Sequence, residues 1–349
     1  MNPPPPLGVG VGVGGPWFED FTVGQRFETP SVTLTEAQAA LHQAIVGDRL
    51  RLPLDHRLSE AVTGSARPLA HPALVSNLAI GQSTYASFRV KANLFYRGLV
   101  LCRPVFLGDT LGTVTKVAAL RQNAPKAGRA ATGLVVLEIT TVNQDGETVL
   151  QFWRCPMIAC RDAEATTGKA DSLDSIPAEI PPTQIEAAVP AGWRLDEYRR
   201  RVAGPHFADL RAGTRFVVEA RDSVSAAPEL ARMTLNMAMT HFDAAASVYG
   251  LRLVFGGHAI AIALAQTIRA IPNIVTVIAW RGCDHLAPVF EGDMLATAVE
   301  VEALCPLPRG GGLADLRAIV RAEHPAAVQA AGLPREAEVL DWRFVALMA

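Results

Sequence analysis

The sequence Pro104-Val-Phe-Leu-Gly-Asp-Thr-Leu111 returns almost unchanged as Pro288-Val-Phe-Glu-Gly-Asp-Met-Leu295, so that the residue numbers differ by 184 (288 − 104). A second pair of similar stretches, Phe18–Phe27 and Phe207–Phe216, repeats at an offset of 189 (207 − 18). Two separate matches at nearly one offset indicate an internal duplication. The chain of 349 residues therefore contains two copies of a unit of ordinary domain size.

The composition between the two copies predicts where they are joined. Residues 161–193 are rich in Ala, Thr, Ser, Glu and Pro and lack apolar periodicity, which is typical of a linker. The predicted segments are a flexible tail (1–16), an N-terminal domain (17–160), the linker (161–193) and a C-terminal domain (194–349).

Each copy has the same predicted order: a short strand, a helix, a helix of small residues, and then several strands. The small-residue helix His258–Arg269 is apolar on nearly all sides, so we expect it to be buried; its counterpart is Ala73–Gln82. Asp145-Gly146, between two β-rich runs, is a strong hairpin signal. A buried helix followed by antiparallel strands predicts an α+β fold with a sheet wrapped round the helix. Further helices are predicted at Thr35–Val46 and Pro228–Ala238, and second-copy strands at Ile274–Trp280, Met294–Ala303, Leu313–Glu323 and Glu338–Leu347.

Composition and charge argue against several classes of function. A net charge of −2 gives no basic footprint, so nucleic acid is not an expected partner. No apolar run is long enough for a membrane helix and no signal peptide is recognisable, which predicts a cytoplasmic protein. The five scattered cysteines lack zinc-site spacing, so we expect buried thiols and no metal. Gly10, Gly12 and Gly15 fit GxGxxG, but they follow four prolines rather than a strand, so no dinucleotide site is predicted.

Short motifs in each copy resemble the MaoC-like hydratases, whose hot-dog fold curls an antiparallel sheet round a central helix. Family members carry a motif close to G-D-x-N-P-x-H, followed by A-H-G-M at the start of that helix. The first copy has Gly47-Asp48 and Leu69-Ala-His-Pro-Ala-Leu-Val75. The second has Asn236-Met-Ala-Met-Thr-His241 and Val254-Phe-Gly-Gly-His-Ala-Ile260. The resemblance implies two tandem hot-dog domains.

Within that family the chain is most similar to the mesaconyl-CoA hydratases, also called β-methylmalyl-CoA dehydratases, which are double hot-dog chains of similar length. The phrases that carry this likeness are Leu120-Arg-Gln-Asn123, Val142-Asn-Gln144, Val149-Leu150, Asn236 with His241-Phe242, Phe255-Gly-Gly-His258 and Leu340-Asp-Trp-Arg-Phe344. They extend over about residues 17–347. The resemblance implies reversible hydration of a 2-enoyl-CoA thioester, without a cofactor.

The resemblance places the chemistry in the second copy. Related hydratases use an Asp and a His five positions apart, with a backbone amide at the start of the central helix as oxyanion donor. Here His241 is the expected general acid/base, Asn236 the residue that orients water or the imidazole, and the Gly257 amide the oxyanion donor. Gly256 and His258 are the expected neighbours in the substrate pocket, although His258 could equally pack as a core residue. Asn236 departs from the acidic residue, because an amide cannot exchange a proton as a carboxylate does.

The first copy is a degenerate site by the same comparison. Asp48 keeps the acid, but Pro53 stands where the histidine should be, and His56 could replace it only if the loop were rearranged. Asp48 is therefore expected to cap a turn, and Asp48 and His71 to shape the substrate pocket. The first half then serves as scaffold and as a wall of the substrate tunnel.

Two other functions stay open at this stage. A hot-dog thioesterase would need a carboxylate on the central helix, and the second copy has none there; a silent acyl-CoA-binding subunit would be consistent with Asn236 and Pro53. Arg97, Lys91 and Arg281 are candidates for contacting CoA phosphates or a substrate carboxylate. For a dicarboxylic acyl group we expect at least one buried or half-buried arginine to pair with the free carboxylate, and the sequence does not identify it. Two hot-dogs already form a pseudo-dimer, so a homodimer of the chain is optional.

Overall fold

The computed structural model describes residues 14–349. Most of the predicted tail, including Gly10 and Gly12, lies outside this range. The helices are α1 (Glu36–Val46), α2 (Arg51–Leu54), α3 (His56–Thr63), α4 (Pro72–Gln82), α5 (Pro182–Ala188), α6 (Leu195–Arg201), α7 (Ala227–Met233), α8 (Gly256–Ala270) and α9 (Ala326–Ala330). The strands are β1 (Arg26–Glu28), β2 (Val32–Thr33), β3 (Val90–Leu101), β4 (Thr110–Gln122), β5 (Thr132–Val142), β6 (Thr148–Ala159), β7 (Arg215–Val217), β8 (Asp222–Ser223), β9 (Ile274–His285), β10 (Met294–Pro306), β11 (Gly312–Glu323) and β12 (Glu336–Met348).

All the strands form one antiparallel sheet with the order β1-β4-β5-β6-β3-β9-β12-β11-β10-β7, and β2 and β8 pair with β4 and β10. The two halves meet where β3 pairs with β9, with Tyr96 opposite Cys283 and Leu99 opposite Trp280. The offset of 184 exchanges these two pairs, since it relates Tyr96 to Trp280 and Leu99 to Cys283. The sheet therefore has a pseudo-twofold axis between β3 and β9, and the duplication is visible in the strand register.

The two central helices, α4 and α8, are enclosed by this sheet and contact each other. All eleven residues of α4 and twelve of the fifteen residues of α8 are buried. Both helices lack a polar face because each packs against the sheet and against the other helix. This arrangement confirms the predicted α+β fold of two tandem hot-dog domains.

Several elements differ from the predictions. The helix predicted at Pro228–Ala238 ends at Met233, because the chain turns at Leu235, whose φ is +57°. The strand predicted at Ile274–Trp280 continues to His285. The segment predicted as a linker contains α5 and buries Ile180 and Ile185 against the sheet and α6.

The cysteines have several environments. Cys155, Cys160 and Cys283 are buried as expected, whereas Cys102 is half-buried and Cys305 is exposed at the end of β10. Between residues 14 and 349, no helix has the length and hydropathy needed to cross a membrane. The same residues contain no group of three His, Cys, Asp or Glu side chains arranged to hold a metal ion.

Candidate active site

A cavity of about 380 Å³ lies between the two halves, beside the start of α8. The second half contributes Asn236, His241 and Gly256 to its wall, and the first half contributes Tyr96 and Arg154. No Asp or Glu is among the described residues that line it. The site is therefore composite, and the side chains that line it carry positive charge without an acidic partner.

Asn236 is held in place by the turn that ends α7. The amide of Asn236 donates to the Ala231 carbonyl and that of Leu235 donates to the Arg232 carbonyl, which is a Schellman arrangement with Leu235 in the left-handed position. A leucine there is strained by about 1 kcal/mol or more, a cost typical of functional sites. The Asn236 side-chain oxygen accepts from the Ala238 amide at 2.9 Å. The buried Nδ2 has no partner in residues 14–349, so Asn236 can only offer N–H donors to a molecule in the cavity.

His241 has one ring nitrogen fixed and the other free. Its Nδ1 lies 2.9 Å from the Leu253 carbonyl oxygen, which can only accept, so Nδ1 carries the proton. Nε2 is then the unprotonated nitrogen of the neutral ring. Burial lowers the pKa of His241 to about 4, so the ring is neutral at physiological pH. His241 is thus arranged to accept a proton at Nε2.

The start of α8 offers backbone donors to the same region. Phe255, the residue that precedes the helix, provides no side-chain cap, and the first amides of a helix have no partner within the helix. A Cβ at Gly256 would lie 2.6 Å from His285 Nε2, and one at Gly257 would lie 2.1 Å from Asn77 Oδ1. A side chain at either position would therefore displace its neighbours, and glycine fits the close packing there. Gly256 lines the cavity, and Gly257 lies one residue further along the helix, against Asn77.

The first-half residues Asp48 and His71 form a separate buried pair. His71 Nε2 lies 2.9 Å from Asp48 Oδ1, and the same oxygen accepts from the Leu50 amide at 2.6 Å. Burial raises the pKa of Asp48, but the His71 contact and the Leu50 amide outweigh it, and the pKa is lowered overall. His71 also caps α4 through the Ala73 amide. Neither Asp48 nor His71 is among the residues that line the cavity.

Two other histidines of the sequence analysis lie away from the cavity. His258 is fully buried, and neither of its ring nitrogens has a hydrogen-bond partner in the described part of the chain. His56 is exposed at the start of α3. Asp243, the nearest acid to His241 in sequence, is exposed and accepts a hydrogen bond from the Ala245 amide. The cavity therefore combines Asn236, His241 and Gly256, without these three residues.

Sequence reasoning did not identify Tyr96, Arg154 or His285. All three line the cavity, Arg154 is 4% exposed, and burial lowers the pKa of His285 to about 4. Arg154 could have been recognised in the sequence as a charged residue among the apolar residues of β6. Of the cations considered in the sequence analysis, only Lys91 lines the cavity.

The other two cations are bonded elsewhere. Arg97 donates to the Ile176 carbonyl and lies over the Phe95 ring, and Arg281 pairs with Asp315 at 2.7 Å.

Two enclosed helices in one continuous sheet, with a cavity at the start of the second helix, define a double hot-dog protein. No family model matches the sequence. The chain is 30% identical over 317 residues to the β-methylmalyl-CoA dehydratase of Chloroflexus aurantiacus. The aligned region covers 87% of this chain and 86% of the relative. The mesaconyl-CoA hydratase of Cereibacter sphaeroides is 28% identical over 82% of this chain and 83% of its own length. The chain belongs to the MaoC-like dehydratase family of double hot-dog proteins.

Solved structures agree with this assignment. A conserved hypothetical protein of Mycobacterium tuberculosis with a double hot-dog fold superposes with a TM-score of 0.88 at 48% identity, over 97% of this chain and all of the other. A MaoC domain protein dehydratase from Chloroflexus aurantiacus, described as putative, superposes with a TM-score of 0.79 at 26% identity, over 96% of this chain and 97% of the other. The curated relatives are hydro-lyases of CoA thioesters.

Proposed function

We propose that this protein catalyses the reversible hydration of a 2-enoyl-CoA thioester, with a short branched or dicarboxylic acyl group such as mesaconyl. The observation that carries the proposal is the neutral His241, whose Nε2 is free because Nδ1 is bound to the Leu253 carbonyl. It stands in one cavity with the unpartnered Asn236 amide and the start of α8. The names of the two curated relatives support the same reaction class.

The site residues divide the reaction between them. Asn236 donates from Nδ2 to the attacking water, and His241 Nε2 takes a proton from that water as its oxygen bonds to C3. The negative charge that develops on the thioester oxygen is stabilised by the positive end of the α8 dipole and by the first amides of α8, where Gly256 lines the cavity and Gly257, the predicted donor, is the next residue. His241 then returns the proton to C2, so that H and OH add to the same face. No cofactor is required, because the thioester itself acidifies C2.

The cavity mouth suggests a place for the CoA moiety. Lys91 and Val248 line both the cavity and an adjoining groove of about 1090 Å³ along the first half. The groove also carries Lys126 and Arg129, both exposed. Phosphates of CoA placed along this groove would leave the acyl group beside His241.

Hydration can be followed by loss of the enoyl-thioester absorbance with mesaconyl-CoA, and with crotonyl-CoA in parallel. We expect His241→Ala to lower kcat/KM by roughly 10²–10⁴-fold, the usual contribution of a general base. His56→Ala is the matched control, because His56 is exposed and outside the cavity, and it should retain the parent activity. Equal activity of His241→Ala and the parent enzyme would place the site elsewhere.

The same assay separates the competing functions. Release of free CoA, detected with a thiol reagent, would identify a thioesterase instead. No described residue that lines the cavity supplies the carboxylate such an enzyme needs. Binding of the acyl-CoA without hydration or CoA release would identify a silent binding subunit.

A further inference from the structure

Arg154 is a buried cation without a counter-charge. Its side chain is 4% exposed, and no carboxylate of residues 14–349 lies within 4.0 Å of it. Nη2 donates to the Ser83 carbonyl at 2.9 Å and to Ser87 Oγ at 2.6 Å, whereas the buried Nε has no partner. A buried guanidinium without an anion is costly, since desolvation is only partly offset by neutral acceptors. The charge of Arg154 thus has no anionic partner among the residues that the structure describes.

The duplication shows that the fold does not require this charge. In the first half Val117, Leu137 and Arg154 stand opposite one another across β4, β5 and β6. The same ladder in the second half is Val301, Leu316 and Phe344, with the β-bulge in β4 and β10 at the same point. Position 154 is therefore an apolar core position in the other copy.

The neighbour of Arg154 differs between the copies as well. Arg154 pairs with Tyr96 on β3, whereas Phe344 pairs with Trp280 on β9. The first half thus replaces an aromatic pair by an arginine and a tyrosine, and both new side chains line the cavity. This change adds polar groups at the site of the second half, where His241 lies.

Arg154 lines the same cavity as His241 and Asn236. Its charge is close enough to lower the pKa of His241 further, after burial as the main cause. The cations near the proposed CoA groove, Lys91, Lys126 and Arg129, are exposed at or beyond the mouth. An anion bound by Arg154 would therefore lie close to the reacting carbons rather than on the nucleotide.

We infer that Arg154 binds a second carboxylate on the acyl chain and so makes the site selective for dicarboxylic acyl-CoA thioesters. The inference rests on the proposed acyl-CoA function and adds the residue that sets its substrate class. Arg154 can still offer a carboxylate its positive charge and the unpartnered Nε–H, because only Nη2 is bonded to Ser83 and Ser87. Tyr96 stands beside it as a further donor.

The test compares two ligands that differ only in the group Arg154 would bind. Succinyl-CoA and butyryl-CoA have four-carbon acyl chains, one ending in a carboxylate and the other in a methyl group. We expect the parent protein to bind succinyl-CoA at least 30-fold more tightly by calorimetry, and Arg154→Gln to lose this preference. Arg97→Gln is the matched control, because Arg97 lies on β3 outside the cavity and should leave the preference unchanged.

The outcomes separate this inference from the hydratase proposal. A preference that is lost in Arg154→Gln supports the inference even if no enoyl-CoA is hydrated. Equal binding of both ligands by the parent overturns it even if crotonyl-CoA is hydrated well. Equal weakening of both ligands by Arg154→Gln would assign Arg154 to CoA itself and also overturns it. Should Arg154→Gln not fold, Arg154→Lys keeps the charge but lacks the Nε–H donor, so we expect a smaller preference for succinyl-CoA; an undiminished preference in that variant would overturn the role given to the guanidinium.

Discussion

Gly81 brings the first central helix directly against the segment that carries Asn236. A Cβ at Gly81 would lie 2.0 Å from the Thr234 carbonyl oxygen, whereas ordinary van der Waals contact begins at 3.4 Å. Gly81→Ala must therefore push the two backbones apart until that shortfall is made up. Thr234 lies two residues before Asn236, in the strained turn at Leu235, so the displacement will reach Asn236. Overpacking of this kind costs about 1–3 kcal/mol of stability, and a displacement of about 1 Å at a reacting group costs roughly 100-fold in rate.

For Gly81→Ala and the parent protein, kcat/KM is measured for hydration of the best enoyl-CoA substrate. The free energy of unfolding is measured by urea denaturation of the same preparations. Gly192→Ala is the control, because a Cβ at Gly192 meets nothing within 4 Å and should change neither quantity. Parent-like activity and stability in Gly81→Ala would refute the argument that this contact positions Asn236. If Gly81→Ala does not fold, Thr84→Val tests a neighbouring contact to the segment that carries Asn236, since Thr84 Oγ1 accepts from the Met237 amide at 2.7 Å. That variant should remain folded and lose activity.

Two further predictions concern pH. Because burial lowers the pKa of His241 to about 4, kcat/KM should stay level from about pH 8 to about pH 5 and fall towards pH 4. A fall centred near the ordinary histidine pKa of about 6.5 would contradict the role of His241 as a buried general base. Burial also lowers the pKa of His42 to about 3 and that of His258 to about 4. Below about pH 6.5 these histidines are therefore protonated in the unfolded chain but stay neutral in the folded protein. The free energy of unfolding, measured by urea denaturation, should therefore be greatest above pH 6.5 and decrease by about 2 kcal/mol per histidine at pH 5. His258→Leu should show a smaller decrease than the parent protein. Equal decreases in the two proteins would exclude a contribution from His258.

The fold could be predicted from the sequence because its signals are local. The repeated Pro104–Leu111 and Pro288–Leu295 stretches define two units. The helix His258–Arg269 is apolar on nearly all sides, which identifies it as buried. The end of α7 could not be predicted in the same way. Thr234–Ala238 continues a helical pattern in sequence, but close contact with Gly81 favours a turn there. A tertiary contact thus overrides local propensity.

The candidate site was only half predictable for a related reason. Asn236 and His241 are five residues apart, so one motif contains both. Arg154 comes from the other half, and its counterpart Phe344 lies at an offset of 190 (344 − 154) rather than 184. The loops between strands differ in length, so only the strand register brings the two residues into correspondence. His285 has no motif of its own and reaches the site because β9 extends five residues past Trp280.

The asymmetry between the halves explains why fusion suits this fold. In a dimer of identical hot-dog units, an arginine at the position of Arg154 would appear twice, and each copy would need an anion to offset its burial. Here the second copy has Phe344 at that position, which packs against Trp342 with a ring-centroid distance of 3.9 Å. The proposed function uses one site, because Pro53 stands where the resemblance predicts a histidine and neither Asp48 nor His71 lines the cavity. In the proposed function, the second copy supplies the proton-transfer residues and the first copy supplies the charge that we infer to bind the acyl group.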